Sequence, residues 1–135
     1  MLAHLRQRII TVLASSHTAT LATTGPAGLQ ARMIPCESRE VFLYLLLPGT
    51  SDQLLNLEHD PKVIVTTAEW QLQGNGRILQ ADAAPPHLGL VHSPGAQGCV
   101  IVEVHPLRLH INRRNGWGFS ETIDCNMVEA SPGTT

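Results

Sequence analysis

The start of the chain alternates apolar and polar side chains with helical spacing. Five apolar positions fall on one helical stripe: Leu2, Leu5, Ile9, Val12 and Leu13. Arg6 and Gln7 face away from this stripe, so one side of the segment would pack and the other would meet water. The spacing predicts an amphipathic helix over residues 1–14.

After this helix, apolar residues occur in the short runs that are typical of strands. Two runs within residues 18–36 flank the turn sequence TTGPAG, and a third run covers residues 40–47. The third run is apolar at almost every position, so both of its faces must be covered. In a barrel, the core would cover one face, and a helix or another subunit would cover the other.

Residues 51–59 are predicted to form a short helix that starts at Ser51 and is ended by Pro61. Ser51 is a favourable N-cap, and the acidic Asp52 in the first turn suits the helix dipole. The same position could hold a phosphate, because backbone N–H groups at a helix start lack partners. The sequence leaves open whether Ser51 only caps the helix or also contacts a phosphate.

Three further segments complete the pattern. Residues 62–73 and 77–83 are predicted to be strands around Asn75-Gly76, which is the strongest hairpin signal in the chain. Residues 83–98 are rich in proline and glycine, which predicts a surface loop with room for one helical turn. Residues 99–111 are predicted to be a last strand, because its second half alternates apolar and polar side chains.

Together these elements predict the fold class. The fold is expected to be mainly β (α+β), with about six antiparallel strands and two or three short helices. So many short antiparallel strands in one small domain favour a closed barrel. The chain is long enough for one domain over residues 1–135, with a core at about 3–125 and a tail at 126–135.

The composition narrows the class of protein. Hydrophobic residues make up 43% of the chain and charged residues 15%, which argues against disorder. The net charge is −2 and Lys62 is the only lysine, so we expect no nucleic-acid partner and no membrane partner. Three cysteines without a CxxC pair suit free thiols in a reducing compartment, which predicts a cytoplasmic location.

Several motifs follow one another in a recognisable order over roughly residues 3–112. They are a leading helix, the hairpin TATLATTGPAGLQARMIP, an apolar strand, a Ser-led helix ending in NLEHDPKV, and a Trp-bearing strand leading into GNGRILQ. In this order they resemble the FMN-binding split-barrel family related to pyridoxamine 5′-phosphate oxidase. The resemblance implies a six-stranded split barrel that forms a homodimer. It also implies that FMN, or another small-molecule ligand, binds in clefts between the subunits.

The resemblance further implies which residues hold the flavin. Arg32 matches the family arginine on the phosphate side of the flavin, and Ser51 matches the hydroxyl that contacts the phosphate. The implied cofactor-binding residues are Arg32, Met33, Ile34, Ser51, Gln53, Trp70 and Arg113.

Three positions depart from the family pattern, because Glu37, Asp52 and Gln53 stand where the family carries cations. A carboxylate several Å from a phosphate costs roughly 1–3 kcal/mol at an effective dielectric constant near 20. The sequence therefore predicts a phosphate site with altered charges and weakened FMN binding.

Two hypotheses about function remain open. The first is an FMN-dependent oxidoreductase, in which the flavin carries the redox chemistry and the protein orients it. The second is a non-catalytic dimeric split barrel that has lost its flavin phosphate site and acts as a binding or structural protein. No residue is assigned a catalytic role. No metal site is predicted, because the seven histidines and three cysteines lack a close ligand spacing.

Overall fold

The computed structural model describes residues 2–80 and 83–125, which contain two α-helices and seven strands. The helices are α1 (Leu2–Leu13) and α2 (Asp52–His59), and a turn of 3₁₀ helix spans Gly89–His92. The strands are β1 (Thr18–Thr23), β2 (Gln30–Arg39), β3 (Phe42–Pro48), β4 (Lys62–Thr66), β5 (Trp70–Leu79), β6 (Cys99–Asn112) and β7 (Phe119–Asp124). The predicted tail at 126–135 lies outside the described residues.

Six of these strands close into an antiparallel barrel. Their order is β3-β2-β1-β4-β5-β6, and β6 pairs back with β3. The length of β6 allows this closure, because its first half pairs with β3 and its second half pairs with β7. Strand β7 therefore lies outside the barrel, beside β6. The predicted fold class, a mainly β six-stranded antiparallel split barrel with short helices, is confirmed.

The barrel is filled by large apolar side chains from every strand and from α1. Trp70, Leu21 and Leu72 are fully buried at its centre. Helix α1 contributes Ile9 and Leu13, which are also fully buried, so the amphipathic helix predicted from the apolar stripe is confirmed. None of the helices in the described part of the chain is both long and apolar enough to cross a membrane.

The outward face of β3 is covered by the chain itself. Tyr44 and Leu46 point out of the barrel and pack against Leu88 and Leu90 from the segment 83–98. This segment contains the expected helical turn, but it carries buried apolar side chains and is not a plain surface loop. The helical cover expected for this face is a single 3₁₀ turn, Gly89–His92, together with Leu88 before it.

The hairpin predicted at Asn75-Gly76 is also wrong. Strand β5 continues through both residues, so the two predicted strands 62–73 and 77–83 are instead β4 and β5. The turn lies earlier, where the Thr67 hydroxyl accepts a hydrogen bond of 3.2 Å from the backbone N–H of Glu69. Gly76 is a packing position rather than a turn position, because a Cβ there would lie 3.0 Å from the nearest side chain.

Candidate functional site

A pocket of about 180 Å³ lies where strand β2, the end of β3 and the start of α2 meet. Arg32 and Ile34 line it from β2, and Ser51, Asp52 and Gln53 line it from the start of α2. Its wall is completed by Leu47, Pro48 and Thr50. The structure thus brings together four of the residues that the sequence predicted for the cofactor, from two separate segments of the chain.

Arg32 gives this pocket its positive charge. It lies opposite Leu21 of β1, and it shares a face of β2 with the buried Ile34, two residues further along. Among residues 2–80 and 83–125, its guanidinium has no ion-pair or hydrogen-bond partner. A free guanidinium can bind a phosphate or carboxylate with two parallel hydrogen bonds.

Ser51 caps helix α2. Its backbone is extended, with φ −67° and ψ 132°, and its side-chain oxygen accepts a hydrogen bond of 3.2 Å from the Gln53 backbone N–H. The Leu54 backbone N–H donates to the Ser51 carbonyl oxygen at 3.1 Å. The cap interpretation is therefore confirmed, and it occupies much of the donor capacity of the helix start. The hydroxyl hydrogen of Ser51 can still be donated to a ligand in the pocket.

Gln53 is fully buried, and its amide nitrogen is used inside the protein. Nε2 donates to the backbone oxygen of Leu21 at 2.8 Å and, more weakly, to that of Gln30 at 3.4 Å. Its Oε1 has no hydrogen-bond partner in the described part of the chain. Gln53 therefore ties α2 to β1 and β2, and its amide nitrogen is not available to a ligand in the pocket.

Asn56, which the sequence did not single out, makes the same kind of connection one helical turn later. It is fully buried, and its Nδ2 donates to Thr23 Oγ1 at 3.1 Å and to the Gly28 carbonyl oxygen at 2.8 Å. Its Oδ1 accepts from the Ala27 backbone N–H at 2.9 Å. Gln53 and Asn56 are three residues apart and therefore lie on one face of α2, and this spacing is the sequence feature that could have indicated a shared role. That role is to hold α2 against the β1–β2 hairpin.

Glu37 lies outside the pocket. Its carboxylate pairs with Arg39 at 2.9 Å and accepts a hydrogen bond of 3.1 Å from the Leu90 backbone N–H. Because Arg32 is five residues away on the same strand, the two side chains face opposite sides and their Cα atoms are roughly 16 Å apart. The expectation that Glu37 opposes a phosphate at Arg32 is wrong, because this carboxylate holds the 89–92 turn in place.

The other predicted cofactor residues lie away from the pocket within one chain. Met33 points outward and is 75% exposed, whereas Trp70 is fully buried in the barrel core. Arg113 lies in the turn between β6 and β7, where its Nε donates to the Phe119 carbonyl oxygen at 3.3 Å. Trp117 in the same turn is 81% exposed.

A second cluster of charged groups lies on the outer face of β3, β6 and β5. Glu103 accepts hydrogen bonds from Tyr44 at 2.8 Å and Arg77 at 2.9 Å, and its carboxylate lies 2.6 Å from His105 Nε2. Burial by itself would raise the pKa of Glu103, but the contacts from His105, Tyr44 and Arg77 outweigh it and lower this pKa. Burial and the bond to Glu103 raise the pKa of Tyr44 to about 12.

Cys36 is a buried thiol on β2. Burial raises the pKa of the Cys36 thiol to about 11, so it is protonated and unreactive at neutral pH. Within the described ranges, no group of three histidine, cysteine or acidic side chains is placed to hold a metal ion.

An apolar groove of about 550 Å³ crosses the outer face of β1, β4 and β5. Leu29, Ile64 and Leu107 line it, and Leu29 is 83% exposed. Met33 adds a further exposed apolar side chain on the outward face of the neighbouring β2. Exposed apolar surface of this kind is typical of sites that another molecule covers.

The chain matches no protein-family model and no curated protein. Solved structures share its fold. A Listeria innocua protein named as a candidate pyridoxamine 5′-phosphate oxidase aligns with a TM-score of 0.62 and 13% identity, over 79% of this chain and 97% of its own. An FAD-binding protein from Mesorhizobium loti aligns with a TM-score of 0.61 and 12% identity, over 76% of this chain and 90% of its own.

A haem-binding protein from Mycobacterium smegmatis also shares the fold. It aligns with a TM-score of 0.66 and 17% identity, over 93% of this chain and 60% of its own. The chain therefore has the split-barrel architecture found in pyridoxamine 5′-phosphate oxidase-like structures. Proteins with this architecture include flavin binders and haem binders. The likeness shows the fold, and function must be argued from the site.

Proposed function

We propose that this protein is a pyridoxamine 5′-phosphate oxidase-like split barrel that binds FMN, with the phosphate end of the flavin in the Arg32 pocket. The observation that carries the proposal is the meeting of an unpaired Arg32 with the Ser51 hydroxyl at the start of α2. Both were expected at the phosphate from the sequence. They lie on segments that only the fold brings together.

The residues present fit a phosphate group. Arg32 supplies a cation, the Ser51 hydroxyl supplies a donor, and Glu37 is turned away from the pocket. Asp52 opposes an anion, but it is exposed, so water and salt screen much of its charge. One cation opposed by one screened carboxylate supports modest affinity. We expect a dissociation constant in the micromolar range, which corresponds to a binding free energy of about −8 kcal/mol.

The size of the pocket supports a ligand that extends beyond it. At about 180 Å³ it is smaller than the roughly 300–1,000 Å³ of pockets that enclose a whole ligand. The phosphate end would therefore be held in the pocket while the flavin ring lies on the surface beside it. A ring in that position needs a second cover to be shielded from water.

A homodimer would supply that cover. The side chains of Leu29, Met33 and Ile64 are apolar and exposed to water. Burying them against a second copy would be favourable, which supports association of two copies. The turn that carries Arg113 and Trp117 is exposed and closed by backbone hydrogen bonds, which supports its use as a contact to a partner. In this proposal, Arg113 contributes to the flavin site of the other copy.

The flavin, when bound, accepts and returns an electron pair, which makes a flavin-dependent oxidoreductase the expected activity. This chain contributes binding and orientation: Arg32 and Ser51 fix the phosphate, and Gln53 fixes the start of α2 beneath it. A cytoplasmic location belongs to the same proposal and is supported by the free thiols of Cys36 and Cys99.

One observation favours the second candidate, a split barrel that binds no flavin. Asp52 carries a negative charge into the pocket, and Gln53 turns its donor nitrogen away from it. If these changes abolish flavin affinity, the protein keeps its architecture as a non-catalytic binding or structural protein.

The test is an FMN titration followed by flavin fluorescence, together with the visible absorbance of the purified protein. Arg32→Ala should weaken FMN at least tenfold, because it removes the cation of the pocket. Arg6→Ala is the matched control, since it removes the same charge from an exposed pair with Glu40. A colourless protein that binds no added FMN would favour the second candidate.

A further inference from the structure

The pocket holds two opposite charges that do not pair with each other. Arg32 and Asp52 both line it, yet neither takes part in an ion pair within residues 2–80 and 83–125. Every other side chain that lines the pocket is neutral. The formal charge of the lining is therefore zero, and electrostatic attraction gives little preference for a doubly charged anion over a singly charged one.

The pocket presents donors and a charged acceptor together, because Arg32 and Ser51 can donate hydrogen bonds and Asp52 accepts them. The Asp52 carboxylate only accepts hydrogen bonds, and Gln53 uses its donor nitrogen on the β1–β2 hairpin. A carboxylate next to a bound anion is unfavourable unless the anion brings a hydrogen to donate, so Asp52 favours a ligand that carries such a hydrogen.

We propose that this pocket selects a phosphate monoester in its singly protonated, monoanionic form. The inference rests on the proposed function, because it concerns the phosphate of the same flavin. A fully ionised phosphate has no hydrogen to give, whereas the monoanion has one P–OH group for the acceptor side and charged oxygens for Arg32. Asp52 thus acts as a specificity-determining residue rather than as a defect in the site.

The protonation of the ligand makes this proposal measurable. The second pKa of a phosphate monoester is near 6, so roughly three quarters of it is monoanionic at pH 5.5 and about 1% at pH 8. The charged groups that line the pocket are Arg32 from β2 and Asp52 from α2, and no histidine lines it. FMN affinity should therefore fall as the pH rises, while riboflavin, which lacks the phosphate, should not respond.

The experiment is a titration of the full-length protein with FMN and with riboflavin at pH 5.5, 6.5 and 8.0, at constant ionic strength. We expect the dissociation constant of FMN to rise at least fivefold between pH 5.5 and 8.0, and that of riboflavin to change less than twofold. In Asp52→Asn the dissociation constant of FMN at pH 8.0 should fall at least threefold, so that FMN affinity depends less on pH than in the wild type. Glu58→Gln, the same charge change on the exposed side of α2, should keep the wild-type profile.

The outcomes separate the two proposals. FMN binding that is independent of pH, or that strengthens toward pH 8.0, overturns the monoanion inference and leaves flavin binding intact. An Asp52→Asn profile as steep as that of the wild type also overturns it. Equal affinities for FMN and riboflavin at every pH would show that the phosphate does not bind in this pocket. Absence of binding by either flavin would overturn the proposed function and this inference with it.

Discussion

Two clusters of charged residues differ in how completely their charges are paired. On the outer face, Glu103 is bonded to Tyr44, Arg77 and His105, and its carboxylate has little capacity left for another molecule. In the pocket, Arg32 and Asp52 face a common space without forming a pair. A satisfied cluster stabilises the fold, whereas unpaired charges that line one pocket indicate a place for a ligand.

The largest expected effect follows from breaking the satisfied cluster. Glu103→Ala should lower the free energy of unfolding by about 2–3 kcal/mol, because it leaves the buried Tyr44 hydroxyl without its acceptor and removes the partner of Arg77. Urea denaturation gives this value. Glu121→Ala, which breaks an exposed pair with Arg8, should cost less than about 0.5 kcal/mol. Similar losses for the two variants would show that the Glu103 cluster is no more structural than a surface pair.

Alkaline pH should weaken the same cluster without any mutation. The fold holds Tyr44 neutral, with its pKa raised from 10.0 to about 12. The stability from this shift is fully present below pH 10 and is lost as the pH rises toward 12, where the unfolded chain ionises first. Wild type should lose roughly 2 kcal/mol more than Tyr44→Phe across this interval. Parallel stability curves for the two proteins between pH 9 and 12 would contradict the shift.

The smallest expected effect on stability comes from the pocket. Asp52→Asn should change the free energy of unfolding by less than about 0.5–1 kcal/mol, because the carboxylate makes only a favourable helix-dipole contact at an exposed position. Its effect should be seen in FMN affinity instead. A stability loss as large as that of Glu103→Ala would mean that Asp52 has a structural partner, and the contrast between the two clusters would fail.

The sequence predicted the local features of the pocket well. The cap at Ser51, the helix that follows it and the strand position of Arg32 depend on spacing over a few residues, and all three are confirmed. The closed barrel was predicted because alternating apolar runs report which strand faces are buried. These signals are local, so one sequence suffices to read them.

Other features depended on contacts between distant segments and could not be predicted. The resemblance implies that Glu37 lies against a phosphate, but its carboxylate pairs with Arg39 and accepts from the backbone N–H of Leu90, 53 residues later. Asn75-Gly76 has the composition of a turn, yet close packing of β5 against Leu57 of α2 explains the glycine. The resemblance implies a cofactor contact for Gln53, whereas its amide nitrogen donates to the backbone oxygen of Leu21.

The central claim is that the Arg32 pocket receives the phosphate end of a flavin. A crystal structure of the protein with FMN at pH 5.5 tests it most directly. The account predicts phosphate oxygens within hydrogen-bond distance of the Arg32 guanidinium and the Ser51 hydroxyl, with Asp52 Oδ facing a phosphate oxygen. A phosphate bound elsewhere, for example at Arg113 with the Arg32 pocket holding only water, would contradict it.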